Sequence, residues 1–195
     1  MFRPIVLALF IGLLAAGSFA TSVTVTRITL ANQSGYLARM FYENANGRTG
    51  TAPSVNTAVT PPGTTGSYAI TRGSSDTIWS TQFTAATTIP AGPWGLDLWA
   101  QAVSVGSLRV SIVITNSAGT TTATVLPSGS TSSVGTSKGQ VFTTFSGSSA
   151  AVPANGYVKI TLTAPTGNGN PTSFTIYWGK AQLTNFQFNA VVASE

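Results

Sequence analysis

The sequence predicts an all-β chain, a single antiparallel β-sandwich or jelly-roll domain of Ig-like type, and three observations carry this. Apolar and polar residues alternate in segment after segment, and no stretch beyond residue 20 keeps a helical period. The alternating segments are short and are separated by runs of Gly, Ser, Thr, Pro and Asn. The chain of 195 residues is 43% hydrophobic but only 7% charged, which suits one domain with a sizeable core.

The chain begins MFRPIVLALFIGLLAAGSFA, with one basic residue (Arg3), an apolar run from Ile5 to Ala16, and small residues at Ser18 and Ala20. That order is the pattern of a secretory signal peptide, so residues 1–20 are expected to be cleaved after Ala20. The apolar run is short of the roughly 20 residues that a bilayer span needs. Contact with a membrane is therefore expected only in transit, and the mature product outside the cell or on its surface. The competing reading is a retained N-terminal hydrophobic helix, as in type IV pilins.

Residues 21–195 form the expected sandwich, opening with an N-terminal strand over 21–32. In that strand Val23 and Val25 share one parity while Ile28 and Leu30 share the other. A bulge near Arg27 explains the switch, and so does a strand buried on both faces in a groove of another molecule. Asn32-Gln33-Ser34 is a glycosylation sequon, which marks Asn32 as a candidate acceptor.

The clearest alternation lies in Trp94 to Val103. Trp94, Leu96, Leu98, Ala100 and Ala102 fall on one face, and Gly95, Asp97, Trp99, Gln101 and Val103 on the other. A second strand follows with Leu108, Val110, Ile112 and Ile114 on one face. A hairpin centred on Val105 makes the two apolar faces coincide, as register demands. The turn Asn116-Ser117-Ala118-Gly119 then leads into a third strand, Thr120 to Leu126. Further strands are predicted over Thr77–Thr84, Gln140–Ser146, Tyr157–Thr163, Ser173–Trp178 and Thr184–Val192, with loops over Gly47–Gly66, Pro127–Gly139 and Pro165–Pro171.

The chemistry is bounded by what is missing. The chain has neither His nor Cys, which removes Ser–His and Cys–His nucleophiles and the usual zinc and copper ligands. The acids are Glu43, Asp76, Asp97 and Glu195; none sits in a motif, and Asp76 in RGSSD reads as a turn residue. No catalytic residue, metal or cofactor is expected, and the chain reads as a non-enzyme. The nine basic residues give a net charge of +5 but never cluster, which argues against a nucleic-acid partner.

Aromatic residues are the remaining candidates. Trp94 and Trp178 continue apolar faces and read as core. Trp99 instead shares the opposite face with Asp97, and the hairpin register brings Arg109 one diagonal step from its ring. Asp97, Trp99 and Arg109 are therefore candidates for contact with something outside the domain, either another subunit or a surface glycan.

The signal peptide, the Cys-free Thr/Ser/Gly-rich body and the apolar segment Ser22 to Leu30 ahead of the sandwich strands resemble secreted filament subunits of the archaeal thread and bundling-pilus type. The resemblance covers the mature chain in character and rests on no diagnostic motif. It implies a homopolymer built by donor-strand exchange, with Val23, Val25, Ile28 and Leu30 as donor residues. The expected function is thus a structural subunit of an extracellular filament or surface layer. The alternatives are a carbohydrate-binding or adhesive module and a viral capsid or surface jelly-roll protein.

Overall fold

The computed structural model describes residues 29–32, 35–42, 57–58 and 63–190, and among them are fourteen strands and no helix. In chain order they are β1 (Thr29–Asn32), β2 (Gly35–Tyr42), β3 (Thr57–Ala58), β4 (Gly66–Thr71), β5 (Ser75–Trp79), β6 (Thr87–Ile89) and β7 (Gly92–Ala102). There follow β8 (Arg109–Thr115), β9 (Thr121–Ser130), β10 (Gly139–Gly147), β11 (Ala150–Val152), β12 (Tyr157–Thr163), β13 (Ser173–Trp178) and β14 (Asn185–Ala190). All pairings are antiparallel. The larger sheet runs β1-β2-β14-β7-β13-β4, with β10 on β7 and β3 on β2, and the second runs β5-β12-β8-β9. A short ribbon, β11-β6, completes the set. The chain is an all-β sandwich, as its alternation predicts.

The two sheets face one another through the residues that the alternation points inward. From the larger sheet come Trp94, Leu96, Leu98, Ala100, Phe174, Ile176, Phe186 and Phe188, all buried. Val110, Ile112, Ile114, Val158, Ile160 and Leu162 answer from the second sheet. Trp94 and Phe188 are partners across β7 and β14, and their rings stack with centroids 4.5 Å apart. Trp178 is also core, 5% exposed, and meets Tyr42 edge-on at 5.1 Å.

The expected hairpin between Trp94–Val103 and Leu108–Ile114 does not form. β7 pairs with β10, β13 and β14, whereas β8 pairs with β12 and β9 in the opposite sheet. The Val103–Gly106 segment crosses between the sheets; Gly106 bridges to Val134. Two strands that face each other across a core show the same apolar parity as two neighbours in one sheet, so alternation cannot tell a crossover from a turn.

The next connection is as predicted. Asn116 Oδ1 accepts the N–H groups of Ala118 and Thr120, each at 3.0 Å, and Gly119 takes φ 83°, which closes the β8–β9 hairpin. β9 then runs through Pro127 rather than stopping before it. It is an edge strand, and its register slips between Val110 and Ile112, so the missing N–H falls in a bulge.

Asp76 is not a turn residue. It lies in β5 opposite Leu162 and is fully buried, and Tyr42 Oη donates to its Oδ2 at 2.8 Å. That bond ties β5 of one sheet to β2 of the other.

Val23, Val25 and Ile28, like the predicted signal segment 1–20, lie outside the described residues. Leu30 falls in β1, which pairs with β2 of its own chain (Thr29 opposite Leu37). Asn32 closes β1 opposite Gly35, while Gln33 and Ser34 of its sequon lie outside the described residues.

Candidate functional site

The outer face of the larger sheet holds the residues that β7 turns away from the core. Gly95, Asp97, Trp99 and Gln101 are all half-buried there, and the strands on either side decide what surrounds them. β10 runs along one edge of β7 from Gly92 to Ala100 and places Phe142 opposite Asp97 and Gln140 opposite Trp99. The other edge is shared. β14 pairs with Trp94–Asp97 and sets Asn185 opposite Asp97; β13 pairs with Trp99–Ala102 and sets Tyr177 opposite Trp99.

Thr184 stands where the two strands part. Its Oγ1 accepts the Trp99 N–H at 2.9 Å and donates to the Tyr177 carbonyl at 2.6 Å. At 1% exposure the side chain serves backbone groups that no ladder reaches.

Asp97 is the centre of a polar cluster. Gln140 Nε2 donates to both of its oxygens, at 2.9 and 3.0 Å, and Asn185 Nδ2 to Oδ2 at 3.3 Å. Gln187 Nε2 in turn donates to Asn185 Oδ1 at 3.1 Å. The side-chain amides of Gln140 and Asn185 thus hold the Asp97 carboxylate in one orientation.

Aromatic rings lie on both sides of it. Trp99 is two residues further along the same face of β7. Phe142, 55% exposed, lies over Gly95, where a Cβ would come within 3.3 Å of its ring. A side chain at position 95 would lift that ring from the sheet. Beyond Trp99, Tyr177 Oη donates to Gln101 Oε1 at 2.8 Å and carries the Lys138 ammonium 4.4 Å from its ring centroid. A hollow of about 410 Å³ opens at this end, lined by Gln101, Ala102, Val103, Thr136, Ser173 and Thr175.

Parity alone thus placed Asp97 and Trp99 on an outer face together, and the structure keeps them there. Arg109 is not with them. It is exposed at the start of β8, opposite Thr163 and Ser130 on the outside of the other sheet. The expected Trp99–Arg109 contact depended on the hairpin and falls with it. Phe142, Gln140, Tyr177 and Asn185 come from strands distant in sequence, and only the sheet order brings them to Asp97.

A second hollow, about 490 Å³, lies over the β6–β11 ribbon and the Thr122–Ala123 edge, with small apolar and hydroxyl side chains as its lining. Among the described residues no group of three His, Cys, Asp or Glu side chains stands together as a metal site would require.

No protein-family model matches the chain, and no curated protein matches it. The fold does have solved counterparts. A CocE/NonD family hydrolase from Staphylococcus aureus superposes with a TM-score of 0.61 at 12% identity, over 82% of this chain and 37% of the hydrolase. An aminopeptidase from a marine sediment Thaumarchaeota archaeon gives 0.58 at 7% identity, over 80% of this chain and 37% of its own. An α-amino acid ester hydrolase gives 0.55 at 9%, over 80% and 36%. At such identities the likeness is one of fold, and this chain spans a little over a third of the length of each enzyme.

These counterparts correct two expectations. The sandwich is shared with hydrolases, so the structural-subunit function drawn from the N-terminal strand is set aside. The non-enzyme reading is corrected with it, because it came from listing the groups this chain lacks, and a domain within a larger enzyme need not hold all of its catalytic groups.

Proposed function

We propose that this chain is the β-sandwich component of a hydrolase that works on ester or amide bonds of amino-acid derivatives. The observation that carries the reading is the pair of coverages: the hydrolases match over 80–82% of this chain but only 36–37% of theirs. A chain with no His and no Cys supplies neither a Ser–His nor a Cys–His pair. In this reading the nucleophile and base belong to the part of the hydrolases that this chain does not match, and the sandwich contributes a rigid wall and the polar–aromatic face around Asp97. The N-terminal pattern supports an extracellular site of action.

The test is immunodepletion. Native material from the producing cells is assayed on phenylglycine methyl ester and on aminoacyl p-nitroanilides before and after removal with an antibody to this chain. Loss of most of the hydrolytic activity together with the antigen is the expected result. Activity that stays in the depleted fraction, with none on the beads, removes the reading.

A further inference from the structure

We propose that Asn168 is a site of spontaneous deamidation, with the backbone nitrogen of Gly169 as the attacking group and water as the co-reactant. The inference goes beyond the hydrolase reading and does not depend on it.

Asparagine is a thermally labile residue, most of all ahead of glycine, where no side chain keeps the next backbone nitrogen from the carboxamide carbon. The chain holds three such pairs, Asn46-Gly47, Asn155-Gly156 and Asn168-Gly169. Asn46-Gly47 lies outside the described residues. The other two sit in tight turns on either side of β12, and the turns use them differently. A turn closed from the carbonyl of its first residue to the N–H of its fourth leaves the N–H of the third outside the ring.

In the turn Pro153–Gly156 the glycine is the fourth residue. Its N–H donates to the Pro153 carbonyl at 2.9 Å, so the nitrogen that would attack is the donor that closes the turn. The Asn155 N–H donates to the Phe83 carbonyl at 2.7 Å, and Gln82 Nε2 donates to the Asn155 carbonyl at 3.1 Å. Gly156 is buried, and its carbonyl accepts the Phe83 N–H at 3.0 Å. Turning this peptide toward the carboxamide of Asn155 breaks several of these bonds together.

In the turn Gly167–Asn170 the same dipeptide stands one step earlier. The Asn170 N–H donates to the Gly167 carbonyl at 2.9 Å, which makes Gly169 the third residue and puts its N–H outside the ring. Gly167, Asn168 and Gly169 are all exposed, and nothing stands within 4 Å of where a Cβ on Gly169 would be. The stem of the loop is fixed nevertheless. Arg72 Nε donates to the Pro171 carbonyl at 3.4 Å and its Nη2 to the Asn170 carbonyl, so the tip can rotate while the base stays anchored. Asn170 is exempt from the same reaction, because Pro171 has no N–H to give up.

The step balances with water alone. A solvent base removes the Gly169 amide proton, the nitrogen bonds to Asn168 Cγ, and the Cγ–Nδ2 bond breaks. The Nδ2 group takes a proton from water and leaves as ammonia. Water then opens the succinimide at either carbonyl. Cleavage at Cγ gives an aspartyl residue, and cleavage at the backbone carbonyl gives an isoaspartyl residue with the chain running through the side chain. Each product adds one negative charge to a chain whose net charge is +5.

The folded protein is incubated at neutral and at mildly alkaline pH, digested with trypsin, and mapped by mass spectrometry. Cleavage after Lys138, Lys159 and Lys180 places Asn155 and Asn168 in separate peptides. We expect Asn168 to convert faster than Asn155 on the order of tenfold or more, since Asn155 must first lose its turn bonds. The rates become comparable in urea, the higher pH speeds both, and an isoaspartyl methyltransferase labels the Asn168 product. Gly169→Ala is expected to keep the melting curve, because its Cβ enters open space, and to slow the conversion. Asn155 reacting as fast as Asn168 in the folded protein overturns the proposal. So does an Asn168 that reacts in urea but stays intact in the fold. A product without isoaspartyl, or a Gly169→Ala variant that converts at the parent rate, removes the attack by the Gly169 nitrogen.

Discussion

Replacing Tyr42 by Phe deletes one hydroxyl and little else. The ring stays against Trp178, 5.1 Å away, while the donor to Asp76 Oδ2 is lost. Asp76 is fully buried between the sheets, so water does not readily take the place of the hydroxyl. Leaving a buried polar group short of a partner costs about 1–3 kcal/mol, and the full burial of Asp76 puts the expected loss in the upper part of that range, about 2–3 kcal/mol. For a domain of this size each kcal/mol lowers the melting temperature by about 2–4 °C, so the shift is roughly 4–12 °C. Tyr177→Phe is the internal control, since it also removes a 2.8 Å bond, to Gln101, but on a half-buried outer face. Its cost is expected to stay below about 1 kcal/mol. Urea unfolding of the two variants and the parent, followed by circular dichroism, gives both numbers. If Tyr42→Phe costs no more than Tyr177→Phe, the Tyr42–Asp76 bond does not join the sheets in the way described.

Three further outcomes are expected. Thr184→Val keeps the shape but strands the Trp99 N–H and the Tyr177 carbonyl; a loss of about 1–3 kcal/mol and faster amide exchange at Trp99 are checked by urea unfolding and NMR. Gly147→Ala puts a Cβ 2.5 Å from the Trp94 indole and 2.8 Å from Val125, an overpacking that costs about 1–3 kcal/mol and lowers the calorimetric melting temperature. Edman sequencing of the native protein is expected to start at Thr21, and a start at Met1 refutes the cleavage.

Alternation was informative wherever a strand had one face in the core. Tyr157–Thr163 and Ser173–Trp178 have the bounds that their periodicity predicts, and β7 begins two residues early and ends one residue early. The strands that went unread have physical reasons. Gly35–Tyr42 lacks a strict period, Gly66–Thr71 is an edge strand with only Ile70 fully buried, and the β6–β11 ribbon is three residues deep on each side. Thr77–Thr84 was read too late because Asp76 belongs to the strand, and a buried acid within an apolar run looks like its border. Of the candidate site, Asp97 and Trp99 were legible because parity needs only one strand. Phe142, Tyr177 and Asn185 were not, because pairing across 40 to 90 residues leaves no local trace.

The edge of β7 is a finite row of backbone groups, and two strands divide it. Neither can lengthen its ladder toward the other without taking a partner from it, so the length of β13 limits that of β14. Thr184 marks the border. Asp97 finds its neighbour in β14 and Trp99 finds its neighbour in β13, so the carboxylate and the indole stand on opposite sides of that line. The spacing of the face is therefore set by where a sheet divides, and a shift of one pairing step there would change which side chains Asp97 and Trp99 meet.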